Sequence, residues 1–336
     1  MGKLVEGKWV SEDLLDHTDD GSFDRKPTSF HNWITPDGTA GPSGQTGFAA
    51  QSGRYHLYVS YACPWAHRAL IFRVLKGLTD HISISVVHPH MLDDGWTFDE
   101  TFPGATGDTL FGKSFLREIY IKADPDVSGR VTVPVLWDKQ TGTIVNNESS
   151  EIIRIFNDAF DGLTGNTLDF WPQDLREEME PVNARIYETL NNGVYRAGFA
   201  KTQSAYDEAV GALNDTMNWL EDRLTTRRYL MGARITEADW RLAVTLFRFD
   251  LVYHGHFKCN RAKLIEYPHL WDYTRELYQW PGVAETVHFD HIARHYYYSH
   301  ANINPHRIVP VGPNTDWTRP HGRGPDVPDS PEGQNG

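Results

Sequence analysis

The chain has 336 residues, of which 40% are hydrophobic and 12% aromatic, and this size predicts two domains with sizeable cores. Its formal net charge of −13 disfavours nucleic acids and anionic membrane surfaces as partners, because binding to phosphates requires a basic face. No apolar run approaches the roughly 18 residues of a membrane-spanning helix, the first residues lack a secretion signal, and only two cysteines occur, so we expect a cytoplasmic protein with free thiols.

Residues 1–50 are rich in Gly, Asp, Ser and Thr, a composition that predicts an N-terminal extension lying over the body as an extended arm. Apolar residues then recur at the spacing of strands and helices, and this pattern predicts a first domain over residues 51–160. A strand over residues 56–61 should lead into a helix that Gly77 ends, and residues 82–87 should form a second strand with alternating faces. This order is that of a βαβ unit.

Cys63 stands where the first predicted strand ends and the helix begins, which places it at the helix N-cap. Pro64 suits the first helical position, because it lacks an N–H group that would find no partner there. The N–H groups of the first turn and the positive end of the helix dipole favour a thiolate. We therefore interpret Cys63 as a nucleophile; the alternative is a buried structural cysteine.

Residues 88–130 form a polar and aromatic insertion, which is too long for an ordinary connection and should be either functional or disordered. Strand periods then return over residues 130–138 and 143–146, which should form an antiparallel hairpin. Pro134 inside the first of these strands indicates an edge or a special backbone position. A cis peptide bond there would expose the backbone of Val133 for pairing with a ligand.

Glu148 and Ser149 lie directly before an apolar helical pattern, in a stretch with the signature of a helix N-terminus. The N–H groups at such a start can hold a carboxylate. The order of βαβ unit, insertion and ββα unit predicts an α/β thioredoxin-like domain in the first half of the chain.

The second half, over residues 165–315, has helical periods throughout and predicts an all-α domain. Residues 206–224 carry a clean amphipathic stripe, and residues 236–239 form a capping box before an apolar and therefore central helix. Residues 316–336 contain four Pro and four Gly, so we expect a disordered tail.

A thioredoxin-like half with an N-cap cysteine, followed by a helical half, resembles a glutathione transferase. Five separated motifs narrow the resemblance to the Xi class, the glutathionyl-hydroquinone reductases. These motifs are Cys63-Pro64-Trp65-Ala66-His67, Gly95-Trp96-Thr97-Phe98, Arg130-Val131-Thr132-Val133-Pro134, Tyr253-His254-Gly255-His256-Phe257-Lys258-Cys259 and Ile303-Asn304-Pro305.

The resemblance implies a role for each site residue. Cys63 would be the nucleophile, and Tyr195 would donate a proton to the quinol. Tyr253 and Tyr296 would donate hydrogen bonds that keep Cys63 ionised; without the resemblance, each tyrosine would be interpreted as structural. The residues implied to hold glutathione are Trp96, Arg130, Val131, Thr132, Val133, Glu148 and Ser149.

The implied activity is the glutathione-dependent reduction of glutathionyl-hydroquinones to hydroquinones through a Cys63 mixed disulfide, with release of oxidised glutathione. Glutathione would be a co-substrate, with another low-molecular-weight thiol such as γ-glutamylcysteine as an alternative, and the protein would be a homodimer. Two other functions stay open. One is an omega-like thioltransferase or dehydroascorbate reductase, which would not need Tyr195, and the other is a non-catalytic transferase-like binding module.

Two further patterns argue against other chemistry. Cys-Pro-Trp-Ala lacks the second cysteine of a Cys-x-x-Cys motif, which makes a dithiol oxidoreductase a poor interpretation. The histidines lack the carboxylate or cysteine pattern that would complete a zinc site, so we expect no metal. The histidines concerned are His88, His90, His288, His291 and His295.

Overall fold

The computed structural model of the protein describes residues 2–11 and 16–324. These residues form two units. The first contains residues 2–11, 27–167 and 290–300, and the second contains residues 16–26, 168–289 and 301–324. In the part of the chain that is described, no helix is both long enough and apolar enough to cross a membrane.

The strands and helices follow in chain order. The strands are β1 (Gly2–Val5), β2 (Lys8–Ser11), β3 (Tyr55–Val59), β4 (Ser83–Val86), β5 (Gly129–Arg130), β6 (Val135–Asp138) and β7 (Thr143–Asn146). The α-helices are α1 (Pro64–Leu75), α2 (Leu116–Ala123), α3 (Ser149–Asp158), α4 (Asp161–Thr164), α5 (Arg176–Ile186), α6 (Gly193–Gly198), α7 (Gln203–Leu224), α8 (Glu237–Leu246), α9 (Pro268–Tyr278) and α10 (Phe289–Ser299). π-Helical turns occur at Tyr187–Asn191 and Phe249–Tyr253, and 3-10 turns occur at Gln173–Leu175, Leu264–Glu266 and Ala284–Thr286.

A four-stranded sheet in the order β4-β3-β6-β7 forms the centre of the first unit. Strand β3 is parallel to β4 and antiparallel to β6, and β6 is antiparallel to β7. All five residues of β3 are buried, as expected for a central strand, and helices α1 and α3 pack against each other. The predicted α/β thioredoxin-like fold of this half is confirmed.

The predicted strand over residues 130–138 is divided in the structure. Arg130 belongs to β5, which pairs with β1 in a separate sheet of order β2-β1-β5, whereas the hairpin strand begins at Val135. Between them, the main chain of Thr132 bonds to a side chain instead of a strand: its N–H donates to the Tyr120 hydroxyl, which donates to its carbonyl. Pro134 has no N–H to offer a strand neighbour, so the ladder cannot run through it.

The insertion over residues 88–130 contains helix α2, which sequence reasoning missed. Leu116, Ile119 and Tyr120 are buried on one face of α2, and the Glu118 carboxylate accepts the N–H groups of Ser114 and Phe115. The helical spacing and the capping acid were both present in the sequence. They were masked by the polar and aromatic residues around them, and the disordered alternative for this stretch is wrong.

Helix α10 belongs to the first unit from Asp290 onward, although its sequence lies within the predicted helical domain of residues 165–315. Its histidines explain this placement. His291 donates through Nε2 to the Pro103 carbonyl at 2.7 Å, and His295 donates through Nδ1 to the Pro89 carbonyl at 2.9 Å. Periodicity shows which face of a helix is buried but cannot show which partner covers it.

Helices form the second unit, as predicted. In α8 every residue is buried, which confirms the central apolar helix, and the capping box of Thr236 and Asp239 is present at its start. Part of the predicted N-terminal arm also belongs here, because residues 16–26 pack with this unit while residues 27–50 pack with the first.

The tail predicted to be disordered over residues 316–336 is held in place as far as residue 324. The Trp317 ring lies 5.0 Å from the ring of Trp271 and 5.1 Å from that of Tyr278. Arg323 bonds to the buried carboxylate of Glu276 at 2.8 Å. The composition did not reveal that one tryptophan and one arginine anchor this segment, and the rest of the predicted tail lies outside the described residues.

Candidate active site

Cys63 is the N-cap residue of α1 and Pro64 is the first helical residue, as predicted. The helix ends at Leu75, and Gly77 follows with a φ of +68°. The Cys63 side chain is partly exposed and makes no capping hydrogen bond to its own helix. Its Sγ atom lies 3.6 Å from the Val133 carbonyl oxygen, to which the thiol donates. The cysteine is thus at the positive end of a helix and accessible to a reactant.

The segment from Arg130 to Val133 approaches Cys63 through Val133. The Val133–Pro134 peptide bond is cis, as the sequence suggested. Val131 and Val133 are both buried, and Thr132 is held through its main chain by Tyr120. The structure therefore brings the Val133 backbone next to the nucleophile, and Arg130 lies three residues away in β5.

Glu148 is the N-cap residue of α3, and its carboxylate accepts hydrogen bonds from the N–H and the hydroxyl of Ser150, both at 3.0 Å. The buried Ser149 hydroxyl accepts a hydrogen bond from Arg68 at 3.4 Å. This helix start therefore presents a carboxylate beside a serine that is bonded to a cation, which suits the charged amino and carboxylate groups of an amino acid.

Arg68 is a site residue that sequence reasoning missed. It lies on α1, is 1% exposed, and places its guanidinium 4.7 Å from the ring centroid of Trp65. It connects the helix of Cys63 to Ser149. The signal was a charged residue among the mostly apolar buried residues of this helix.

Tyr296 lies on helix α10, and the same helix contacts Trp96 through His295. The Trp96 ring stacks on the ring of His295, with 4.9 Å between centroids and an angle of 21°. Tyr296 is 1% exposed, and its ring lies 5.2 Å from His295 and 5.6 Å from His300. The first unit thus contains Cys63, Tyr296 and all of the residues implied to hold glutathione.

Tyr195 and Tyr253 lie in the second unit, in an aromatic cluster. The Tyr195 ring on α6 lies 6.1 Å from Tyr253 and 5.5 Å from Phe257. Gly198 permits this packing, because a Cβ atom there would lie 2.3 Å from the Phe257 ring. Tyr195 is 9% exposed, so its ring is fixed by its neighbours on most sides.

Cys259 is buried and does not lie at a helix N-cap, whereas Cys63 is partly exposed at one. Cys259 is 1% exposed, and burial raises the pKa of its thiol well above the usual range. A neutral buried thiol is a poor nucleophile. Among the described residues, no group of three or more His, Cys, Asp or Glu side chains could hold a metal ion.

A thioredoxin-like unit with a cysteine at the N-cap of its first helix, together with a helical unit, defines a glutathione transferase fold. Two family models match the chain: the glutathione S-transferase N-terminal domain over residues 62–159 and the glutathione S-transferase C-terminal domain over residues 203–276.

Similarity to individual proteins and solved structures identifies the class within this family. The chain is 54% identical over 323 residues to the glutathionyl-hydroquinone reductase YqjG of Escherichia coli, which covers 96% of this chain and 98% of that protein. The glutathione-bound structure of YqjG superposes with a TM-score of 0.89 at 53% identity, over 96% of this chain and 99% of that one. A Xi class transferase from Natrialba magadii superposes with a TM-score of 0.90 at 50% identity, over 96% and 97% of the chains. The chain belongs to the glutathione S-transferase family and, within it, to the Xi class.

Proposed function

We propose that the protein reduces glutathionyl-hydroquinones to hydroquinones, with glutathione as co-substrate. The observation that carries this proposal is the accessible Cys63 at a helix N-cap, without a second reactive cysteine, since Cys259 is buried and neutral. A thiolate without a resolving partner must exchange with an external thiol through a mixed disulfide. The name of the E. coli relative supports the choice of substrate.

The proposed glutathione site lies in the first unit. Val133 would pair with the tripeptide through its backbone, Glu148 and Ser149 would bind its γ-glutamyl end, and Trp96 would cover it. Arg130 would be a charge partner, and Val131 and Thr132 complete the segment. The placement of the Val133 carbonyl 3.6 Å from Cys63 Sγ supports this arrangement, as does the glutathione bound by the E. coli relative.

In the first proposed step, the Cys63 thiolate attacks the sulfur of the glutathionyl-hydroquinone. A sulfur–sulfur bond forms, the bond between sulfur and the ring carbon breaks, and its electron pair stays with the carbon. Tyr195 donates its hydroxyl proton to that carbon, which releases hydroquinone and leaves glutathione on Cys63. A second glutathione thiolate then attacks the glutathione sulfur, releases oxidised glutathione and restores the Cys63 thiolate.

Tyr253 and Tyr296 are proposed to keep Cys63 ionised by donating hydrogen bonds to its sulfur. This role would offset the Val133 carbonyl, which accepts a hydrogen bond from the neutral thiol and so favours that form. We also propose a homodimer from the resemblance to the Xi class, and glutathione as the thiol in place of γ-glutamylcysteine.

The decisive experiment substitutes Tyr195→Phe. Breaking a carbon–sulfur bond leaves a carbanion-like ring that needs a proton, whereas breaking a sulfur–sulfur bond leaves a thiolate that departs without one. General acid assistance is typically worth about 10²- to 10⁴-fold. We therefore expect the variant to reduce glutathionyl-hydroquinones about 10²- to 10⁴-fold more slowly than wild type. Its reduction of the mixed disulfide that hydroxyethyl disulfide forms with glutathione should be unchanged.

Both activities are measured on one preparation, with circular dichroism to confirm the fold. Equal losses in both would mean that Tyr195 serves binding or stability, and no loss in either would remove it from the mechanism. A wild-type protein that reduces only the disulfide would instead be an omega-like thioltransferase. A wild type inactive in both assays would be a binding module.

A further inference from the structure

Arg25 packs directly on the ring of Tyr195. Its guanidinium carbon lies 4.9 Å from the centroid of the Tyr195 ring and 5.4 Å from that of Phe23. A cation at this distance is attracted to the face of an aromatic ring. Arg25 belongs to residues 16–26, the part of the N-terminal arm that packs with the second unit, so every group concerned lies in that unit.

The same guanidinium holds the backbone from which Tyr195 projects. Arg25 Nε donates to the side-chain oxygen of Asn192 at 2.7 Å, which is a short charge-assisted hydrogen bond. Asn192 is the residue at which the π-helical turn gives way to α6, and its carbonyl accepts the N–H of Tyr195 at 3.0 Å. Arg25 therefore contacts both the Tyr195 ring and the residue that begins its helix.

We propose that Arg25 is a positioning residue for the proton donor: it orients Tyr195 and stabilises the negative charge that remains when the proton leaves. This inference rests on the proposed function, in which the Tyr195 hydroxyl gives its proton to the ring carbon and becomes a phenolate. The phenolate charge spreads into the ring, beside the guanidinium. Solvent then returns the proton to the hydroxyl, so Arg25 itself neither gains nor loses one.

The contact matters for only one class of reaction. Carbon–sulfur cleavage converts Tyr195 to a phenolate and so strengthens its attraction to Arg25 as the proton moves, which lowers the barrier. Sulfur–sulfur cleavage and the regeneration of Cys63 by glutathione leave Tyr195 neutral. Loss of the cation should therefore lower kcat for glutathionyl-hydroquinone and leave kcat for a small mixed disulfide unchanged.

The test compares Arg25→Met with Arg25→Lys in the full-length protein. Methionine keeps much of the side-chain bulk and removes the charge, so we expect kcat for a glutathionyl-hydroquinone to fall roughly tenfold, with KM within about twofold of wild type. Lysine keeps the charge, so it should recover most of that loss. The matched control is Lys26→Met, which removes a positive charge from the next residue, where Lys26 pairs with Asp24 at 2.6 Å, and should behave as wild type.

A double variant separates this role from a structural one. In a Tyr195→Phe background no phenolate forms, so adding Arg25→Met should cost less than about twofold. A full tenfold cost in that background would overturn the proposal, as would equal losses in both reactions or an Arg25→Lys protein as impaired as Arg25→Met. A wild type that does not reduce glutathionyl-hydroquinones would refute the proposed function itself, a result that the Arg25 variants alone cannot produce.

Discussion

The N-cap residues of α1 and α8 both have an extended backbone, but the two helix starts serve different purposes. At α8, the Asp239 carboxylate accepts the N–H of Thr236 at 2.8 Å and its hydroxyl at 3.2 Å. The same carboxylate accepts the N–H of Leu230 and the hydroxyl of Tyr273, at 2.9 and 2.7 Å. At α1, the N-cap is Cys63, whose sulfur makes no capping hydrogen bond to the helix.

This difference shows how stability and reactivity are divided between the two units. A helix start whose N–H groups donate to side chains of the same helix is stabilised, and those N–H groups are not available to a reacting group. Cysteine is a poor cap, so the α1 start forgoes that stabilisation and keeps its positive end for a reacting sulfur. Changes at the α1 start should therefore alter activity, and changes at the α8 start should alter stability.

The largest expected effect is at α1. Cys63→Ser should lower glutathionyl-hydroquinone reduction by about a thousandfold or more, because an alcohol is not ionised at neutral pH. Serine is also a preferred N-cap residue, so the free energy of unfolding should stay the same or rise by up to about 1 kcal/mol. Steady-state rates and urea unfolding on the same preparation test both parts.

Cys259→Ser is the matched control for that variant. It should retain most of its activity, because Cys259 is buried and its raised pKa keeps it neutral. If Cys259→Ser were the inactive variant and Cys63→Ser the active one, the assignment of the nucleophile would be reversed.

The next effect is at α8. Asp239→Ala should lower the free energy of unfolding by about 3 kcal/mol or more, because it leaves buried donors of Thr236, Leu230 and Tyr273 without their acceptor. Activity per folded molecule should be retained. Asp215→Ala, at an exposed position of α7, should change stability by less than about 0.5 kcal/mol. An Asp239→Ala protein as stable as the control would show that the closed cap contributes nothing.

The smallest effect is a pH dependence at the same carboxylate. Burial raises the pKa of Asp239 from 3.8 to about 6, against the opposing effect of its hydrogen-bond donors. The folded state therefore binds this proton more readily than the unfolded state, and the contribution of Asp239 is greatest below pH 4 and declines as the pH rises through 6. The stability advantage of wild type over Asp239→Ala should shrink by about 2 kcal/mol between pH 4 and 6.5. An advantage that stays constant or grows over this range would contradict the raised pKa.

Local signals in the sequence determined a large part of this protein. The N-cap position of Cys63, the capping box at Thr236 and the central helix that follows it were all predictable, and the order of strands and helices indicated the thioredoxin-like half. These features depend on residues within a few positions of one another. They are stabilised by interactions within one helical turn or along one strand, so the residues responsible lie close together in the sequence.

Only the tertiary structure decided which distant segments share an environment. It places α10 in the unit of Cys63, brings the Val133 carbonyl to 3.6 Å from the nucleophile, and sets Arg25 on the ring of Tyr195, 170 positions along the chain. The sequence can show that a helix face is apolar or that a side chain is charged, but it does not show which distant residue will contact it. The partner is selected by burial, stacking and ion pairing between segments that meet only once the whole chain has folded.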